Sequence, residues 1–157
     1  MSVKQVQAIV NGQTYTLRFD ASDYDGNAAT QKSVTFKIDT VPPTLSVASP
    51  SDGYVTNKST ITVAGTTNDA TSSPVTVMIN GTPVTVGSNG AFSTTVTLSA
   101  GSNTITIVAK DSAGKTTTIT RTVKYDPNPP KITAASVTPN PVDAGKTYVI
   151  SVTVTDE

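Results

Sequence analysis

Residues 101–126, GSNTITIVAKDSAGKTTTITRTVKYD, alternate apolar and polar side chains on both sides of one interruption. Ile105, Ile107 and Ala109 recur at every second position, Asp111-Ser-Ala-Gly114 breaks the run, and Ile119, Val123 and Tyr125 resume it. A period of two puts these side chains on one face of a strand, and the Asp-to-Gly break reverses the chain. The stretch therefore predicts a β-hairpin with one face to bury, which requires a second layer.

A related hairpin, YTLRFDASDYDGNAATQKSVTFKID, occupies residues 15–39. Two landmarks measure the repeat: Pro43 to Pro130 is 87 residues and Gly26 to Gly114 is 88. Asp39-Thr-Val-Pro-Pro43 and Asp126-Pro-Asn-Pro-Pro130 read as junctions, because consecutive prolines fix φ and remove backbone donors. The chain is expected to be a tandem array: residues 1–40 the end of one module, 41–128 a complete module, and 129–157 the beginning of a third. In the first part, strands are expected near 6–10, 17–21 and 34–38.

Seven strands are expected between the junctions: residues 44–48, 60–65, 75–79, 84–86 and 92–98, then the two of the hairpin. Residues 50–59 are expected to form a loop. Asn80-Gly81 is a favoured two-residue hairpin turn, and Pro83 confines its strand to a sheet edge. Seven short strands with regular turn signals predict an all-β, immunoglobulin-like sandwich. Its interior should hold Leu45, Val47, Ile61, Val63, Val75, Val77, Ile79, Phe92, Val96, Leu98, Ile105, Ile107, Ala109, Ile119 and Val123. The end pieces are expected not to complete one another, because the first and last strands of such a module leave at opposite poles.

Composition narrows the chemistry. Eleven basic and eleven acidic residues are scattered singly, so no basic stripe faces a nucleic acid. Without cysteine there is no disulfide or thiolate, and without histidine there is no Ser-His-Asp triad. Isolated turn aspartates at different poles do not make the carboxylate pair of a glycosidase. No apolar run is long enough for a membrane-spanning helix, and the start MSVKQVQAIV has no signal-peptide core, so an export signal is expected outside these residues.

Asp23, Asp25 and Asn27 place three oxygen-bearing side chains at alternate positions, the pattern of a calcium loop, with Asp39 or Asp20 as helpers at a seam between modules. The competing reading is turn chemistry, in which Asp and Asn bond the backbone and Gly26 takes a positive φ. The cognate loop at Asp111 carries Ala113 and Lys115 in the matching places, a weaker set of ligands. Tyr54, in a predicted loop, is the one aromatic of the central module available to stack on a sugar. Asn57 and Asn80 match glycosylation acceptors, but both sit in turn sequences.

Residues 81–126 resemble the bacterial Ig-like domains, particularly those akin to the B domain of glucodextranase. The most specific pieces are Asn80-Gly-Thr-Pro-Val, Gly90-Ala-Phe92 and Gly101-Ser-Asn103 leading to Asp111-Ser-Ala-Gly114. Family members commonly carry Asn after that last Gly. Here it is Lys115, while the first copy keeps Gly26-Asn27. Residues 137–145, VTPNPVDAG, are similar to the opening of a surface-protein repeat. The resemblance implies a non-catalytic module of a secreted or cell-surface bacterial protein. It would serve as spacer, adhesive element or carbohydrate-binding appendage of an enzyme, with neighbouring modules, a glycan or a host surface protein as partners.

Overall fold

The alternating segments become two facing sheets in a computed structural model that describes residues 10–138, 140–141 and 143–156. Between the junctions lie eight strands: β3 (Thr44–Ser49), β4 (Tyr54–Thr56), β5 (Thr60–Asn68), β6 (Thr76–Ile79), β7 (Thr82–Val84), β8 (Ala91–Thr97), β9 (Gly101–Lys110) and β10 (Thr116–Tyr125). One sheet has the order β3-β5-β8 and the other β4-β10-β9-β6-β7. This is the expected β-sandwich with no helix among the described residues.

The hairpin of residues 101–126 is β9–β10, antiparallel over its full length with Ile107 opposite Ile119. Ile105, Ile107, Ala109 and Val123 are completely buried, and Val63, Val77, Ile79, Phe92 and Leu98 close the core against them. Burial of each large side chain contributes about 1.5–3 kcal/mol, which is why two layers hold without crosslinks. Leu45, Val47, Ile61, Val75 and Val96 pack around this centre as expected. Asn80 and Gly81 both take positive φ, 48° and 79°, forming the two-residue turn between β6 and β7. Pro83 lies on the edge strand, where its missing N–H leaves no gap in a central ladder.

Three expectations need correction. Ile119 is half-buried and outside the core cluster. Its strand is flanked on the outer side only by β4, which covers Val123 to Tyr125 and stops short of it. Residues 50–59 are not one loop, because β4 leaves the β3 sheet and pairs parallel with β10. Asp52 guides that crossing by accepting the Thr122 N–H at 2.7 Å, and the Gly53 N–H bonds the Thr122 carbonyl at 2.9 Å. Finally, the strand after Pro83 ends at Val84, and Val86 forms a lone bridge to Phe92 of the opposite sheet. Val84, Val86 and Tyr125 join the core rim, although alternation alone did not select them.

Outside the junctions, β1 (Thr14–Phe19) pairs with β2 (Lys32–Lys37), and β11 (Lys131–Thr138) pairs with β12 (Val149–Thr155). Leu17, Phe19, Val34 and Phe36 are exposed on the first pair, beside a stacked Tyr15–Phe36 contact at 5.8 Å. Ile150, Val152 and Val154 are exposed on the second. Among the described residues no sheet continues across either proline junction. The strand expected near residues 6–10 lies outside the described residues except for Val10.

Candidate functional site

The turn between β9 and β10 is closed by its first residue. The Asp111 N–H donates to the Lys115 carbonyl at 3.1 Å, the Lys115 N–H returns to Asp111 Oδ1 at 2.8 Å, and Gly114 takes a φ of 90°. The loop between β1 and β2 repeats this geometry. The Asp23 N–H donates to the Asn27 carbonyl at 3.0 Å, and the Asn27 N–H donates to Asp23 Oδ1 at 2.8 Å.

The two turns differ at one atom. Asn27 also gives its side-chain amide to Asp23 Oδ2 at 2.8 Å, so both oxygens of Asp23 are engaged within the loop. The Asn27 amide and N–H hold the Asp23 carboxyl below the usual carboxylate range. Asp23 and Asn27 thus make the side-chain and backbone bonds that the turn reading of this loop expects. Asp25 and its neighbours are exposed, and they are not brought together with Asp39.

Lys115 has no amide to offer, and Asp111 Oδ2 is enclosed without a hydrogen-bond partner although Asp111 is only 4% exposed. Two other carboxylates meet it. Asp69, 8% exposed, follows β5 and folds the next residues around itself, with Oδ1 accepting the Thr71 and Ser72 N–H groups at 2.7 Å each. The Ser112 N–H then bonds the Ser72 carbonyl at 3.3 Å, tying this loop to the Asp111 turn. Asp39 arrives from the first junction, bonded through Oδ1 to the Val41 N–H at 3.0 Å, and its Oδ2 is likewise enclosed without a partner.

One carboxylate oxygen from each of Asp39, Asp69 and Asp111 lies within 4.8 Å of the others. At an effective dielectric of 20, two unit charges 4.8 Å apart repel by about 3 kcal/mol, so the cluster favours a positive charge among its oxygens. The Ser72 hydroxyl and the Val41 N–H beside Asp39 hold its carboxyl below the ordinary range, with Lys115 adding a smaller pull. Lys37 reaches across the seam to the Thr71 carbonyl at 3.0 Å, and Asn11 accepts the Thr40 N–H at 2.8 Å. At the second junction the matching Lys124 instead forms an ion pair with Asp126 at 3.1 Å. The same Lys-x-Asp sequence is thus closed on itself at one seam and opened toward the sandwich at the other.

Tyr54 occupies β4 rather than a loop and is 46% exposed. It borders a groove of about 340 Å³ with Ser49, Pro50, Ser51 and Ile61.

Comparison with known proteins agrees with this architecture. A family model described as glucodextranase, domain B, matches residues 43–126, just over half of the chain. Among solved structures, the fibronectin(III)-like modules of Clostridium thermocellum CbhA align at a TM-score of 0.45 and 19% identity, over 72% of this chain and 62% of that one. An engineered protein aligns at a TM-score of 0.40 and 22% identity, over 57% of this chain and 22% of that one. The chain therefore spans less than two thirds of either solved chain. No curated protein matches it in sequence. The family match covers the sandwich from its buried first proline to the residue after β10, and this chain belongs to the glucodextranase domain B family of Ig-like modules.

Proposed function

We propose that the chain is a non-catalytic, extracellular spacer or adhesive segment of a multi-module bacterial protein, with parts of neighbouring Ig-like modules on either side of the central sandwich. The observation that carries this is where the chain enters and leaves. The buried Pro43 gives its carbonyl to Thr117 Oγ1 at 2.6 Å, so the chain enters beside the start of β10. It leaves at Tyr125, the last residue of the same strand. Eight residues of extended chain separate those points by about 26 Å. A module traversed from pole to pole passes tension and direction to the next, as a stalk requires.

The exposed apolar faces of β1–β2 and β11–β12 fit the same reading, since a sandwich covers such faces with a second sheet. Small-angle scattering on the full chain tests it. A compact particle of this length has a radius of gyration of about 15 Å. The spacer reading expects a clearly larger value and an extended distance distribution, and a result near 15 Å would refute it.

The family is named for an enzyme, glucodextranase, and Tyr54 beside its groove supports a second reading as an accessory carbohydrate-binding module. It expects retention on an α-glucan that is lost in Tyr54→Ala. Equal mobility with and without glycan removes it.

A further inference from the structure

We infer that Asp39, Asp69 and Asp111 bind one calcium ion at the seam between the first hairpin and the central sandwich. Three independent features of the site converge on this. The oxygens lie within 4.8 Å of one another, and two oxygens on one calcium at ligand distances of about 2.3–2.6 Å can stand at most roughly 5.2 Å apart, so the three can share an ion. Asp111 is almost wholly buried, yet its Oδ2 has no hydrogen-bond partner. The donors are all carboxylate oxygens in a chain without histidine or cysteine, which selects a hard cation over zinc or copper.

The contrast with the first hairpin strengthens the assignment. In the Asp23 turn the Asn27 amide satisfies the second carboxylate oxygen from inside the loop. In the Asp111 turn Lys115 replaces that amide, and the second oxygen is left for a ligand from elsewhere. Lys37, which stands two residues before Asp39 as Lys124 does before Asp126, bonds the Thr71 carbonyl rather than closing on its own aspartate. Carboxylates from both sides of the junction thus remain for one cation. Two of the ligands belong to the sandwich and the third to the Asp39-Thr-Val-Pro-Pro43 segment, so the bound ion fastens the junction to the module. The first oxygens of all three carboxylates already accept backbone N–H groups, so water would complete the coordination.

This assignment does not depend on the spacer reading, because it is tested by binding rather than by shape. Calcium chloride is titrated into the full chain, freed of metal with chelator, and followed by calorimetry and thermal unfolding. The wild type should bind one calcium ion and melt at a higher temperature with calcium than with chelator. Asp111→Asn keeps the Oδ1 acceptor for the Lys115 N–H but removes the anionic ligand, and should weaken binding by at least about tenfold. Asp39→Asn lies outside the sandwich and should weaken it similarly, which keeps the test valid if Asp111→Asn folds poorly. Asp23→Asn should leave calcium affinity unchanged. No binding up to about 10 mM calcium, well above the range of weak extracellular calcium modules, would overturn the assignment. So would undiminished binding in Asp39→Asn, loss of binding in Asp23→Asn, or an equal response to magnesium at equal concentration.

Discussion

Gly65 is where the two-sheet packing leaves least room, and Gly65→Ala measures that tolerance directly. The residue lies on the inward face of β5, opposite Val47 of β3 and Phe92 of β8. A Cβ there would run into the Ser46 backbone carbonyl and come within 2.7 Å of Phe92 Cζ. Phe92 is 3% exposed and packed against the core, so its ring has little space to retreat. The carbonyl belongs to a hydrogen-bonded strand and moves only if β3 shifts away from β5. Overpacking of this kind costs about 1–3 kcal/mol, and the backbone obstacle places Gly65→Ala at the upper end. For a domain of this size, about 2–3 kcal/mol corresponds to a fall in melting temperature of roughly 8–24 °C. Calorimetry of wild type and variant gives the shift, and Phe92→Leu in both backgrounds completes a double-mutant cycle. Because shortening the ring relieves only one of the two contacts, Phe92→Leu should not restore the stability lost in Gly65→Ala. A Gly65→Ala protein within about 0.5 kcal/mol of wild type, or full rescue by Phe92→Leu, would refute the close approach of β3 to β5 as the cause.

Asn103 accepts the Ser99 N–H at 2.9 Å and gives its amide to the Ser99 and Gly101 carbonyls at 2.7 and 3.0 Å. Asn103→Ala should cost about 1–3 kcal/mol, and Asn103→Asp more than Ala, because a carboxylate would then face two carbonyls; chemical denaturation that ranks Asp as the milder change contradicts this. Asp52→Ala removes the acceptor for the Thr122 N–H where β4 joins β10, so hydrogen exchange at Tyr54 to Thr56 should speed up while the β9 amides stay protected. The Lys124 ammonium and the Asn128 N–H hold the Asp126 carboxyl below its ordinary value. A depressed folded value gives stability that is present above the unfolded pKa of about 3.9 and lost as pH falls through the folded one. Asp126→Asn should therefore be destabilising at pH 7, by an amount that shrinks as the pH falls below about 3.9, as acid unfolding curves would show.

The core was legible because its information is local. Each of Val63, Val77, Ile79, Phe92, Leu98, Ile105, Ile107, Ala109 and Val123 sits in an alternating run whose period declares its face. Asn80-Gly81 and Pro83 were legible for the same reason, since turn type and edge position follow from the backbone freedom of single residues. β4 was not. Three residues, Tyr54 to Thr56, show no period, and they become a strand only because β10 offers an unpaired edge held by Asp52. Ile119 failed in the opposite sense: its alternation is correct, but that edge is uncovered beyond Val123.

The acidic site shows where residue spacing stops being informative. Both Asp23 and Asp111 begin the same turn, and the first has the richer set of nearby oxygens, which makes it the better candidate by composition. In the fold the nearby Asn27 amide engages the second oxygen of Asp23. The poorer loop keeps an oxygen and receives Asp69 and Asp39 from 42 and 72 residues away in sequence. A signal did exist, in the replacement of the usual Asn by Lys115 in a turn whose Asp is retained. A turn that keeps its carboxylate while losing the amide that would quench it has a charge left to satisfy, and in this chain that charge stands beside two further carboxylates, one of them from the proline junction.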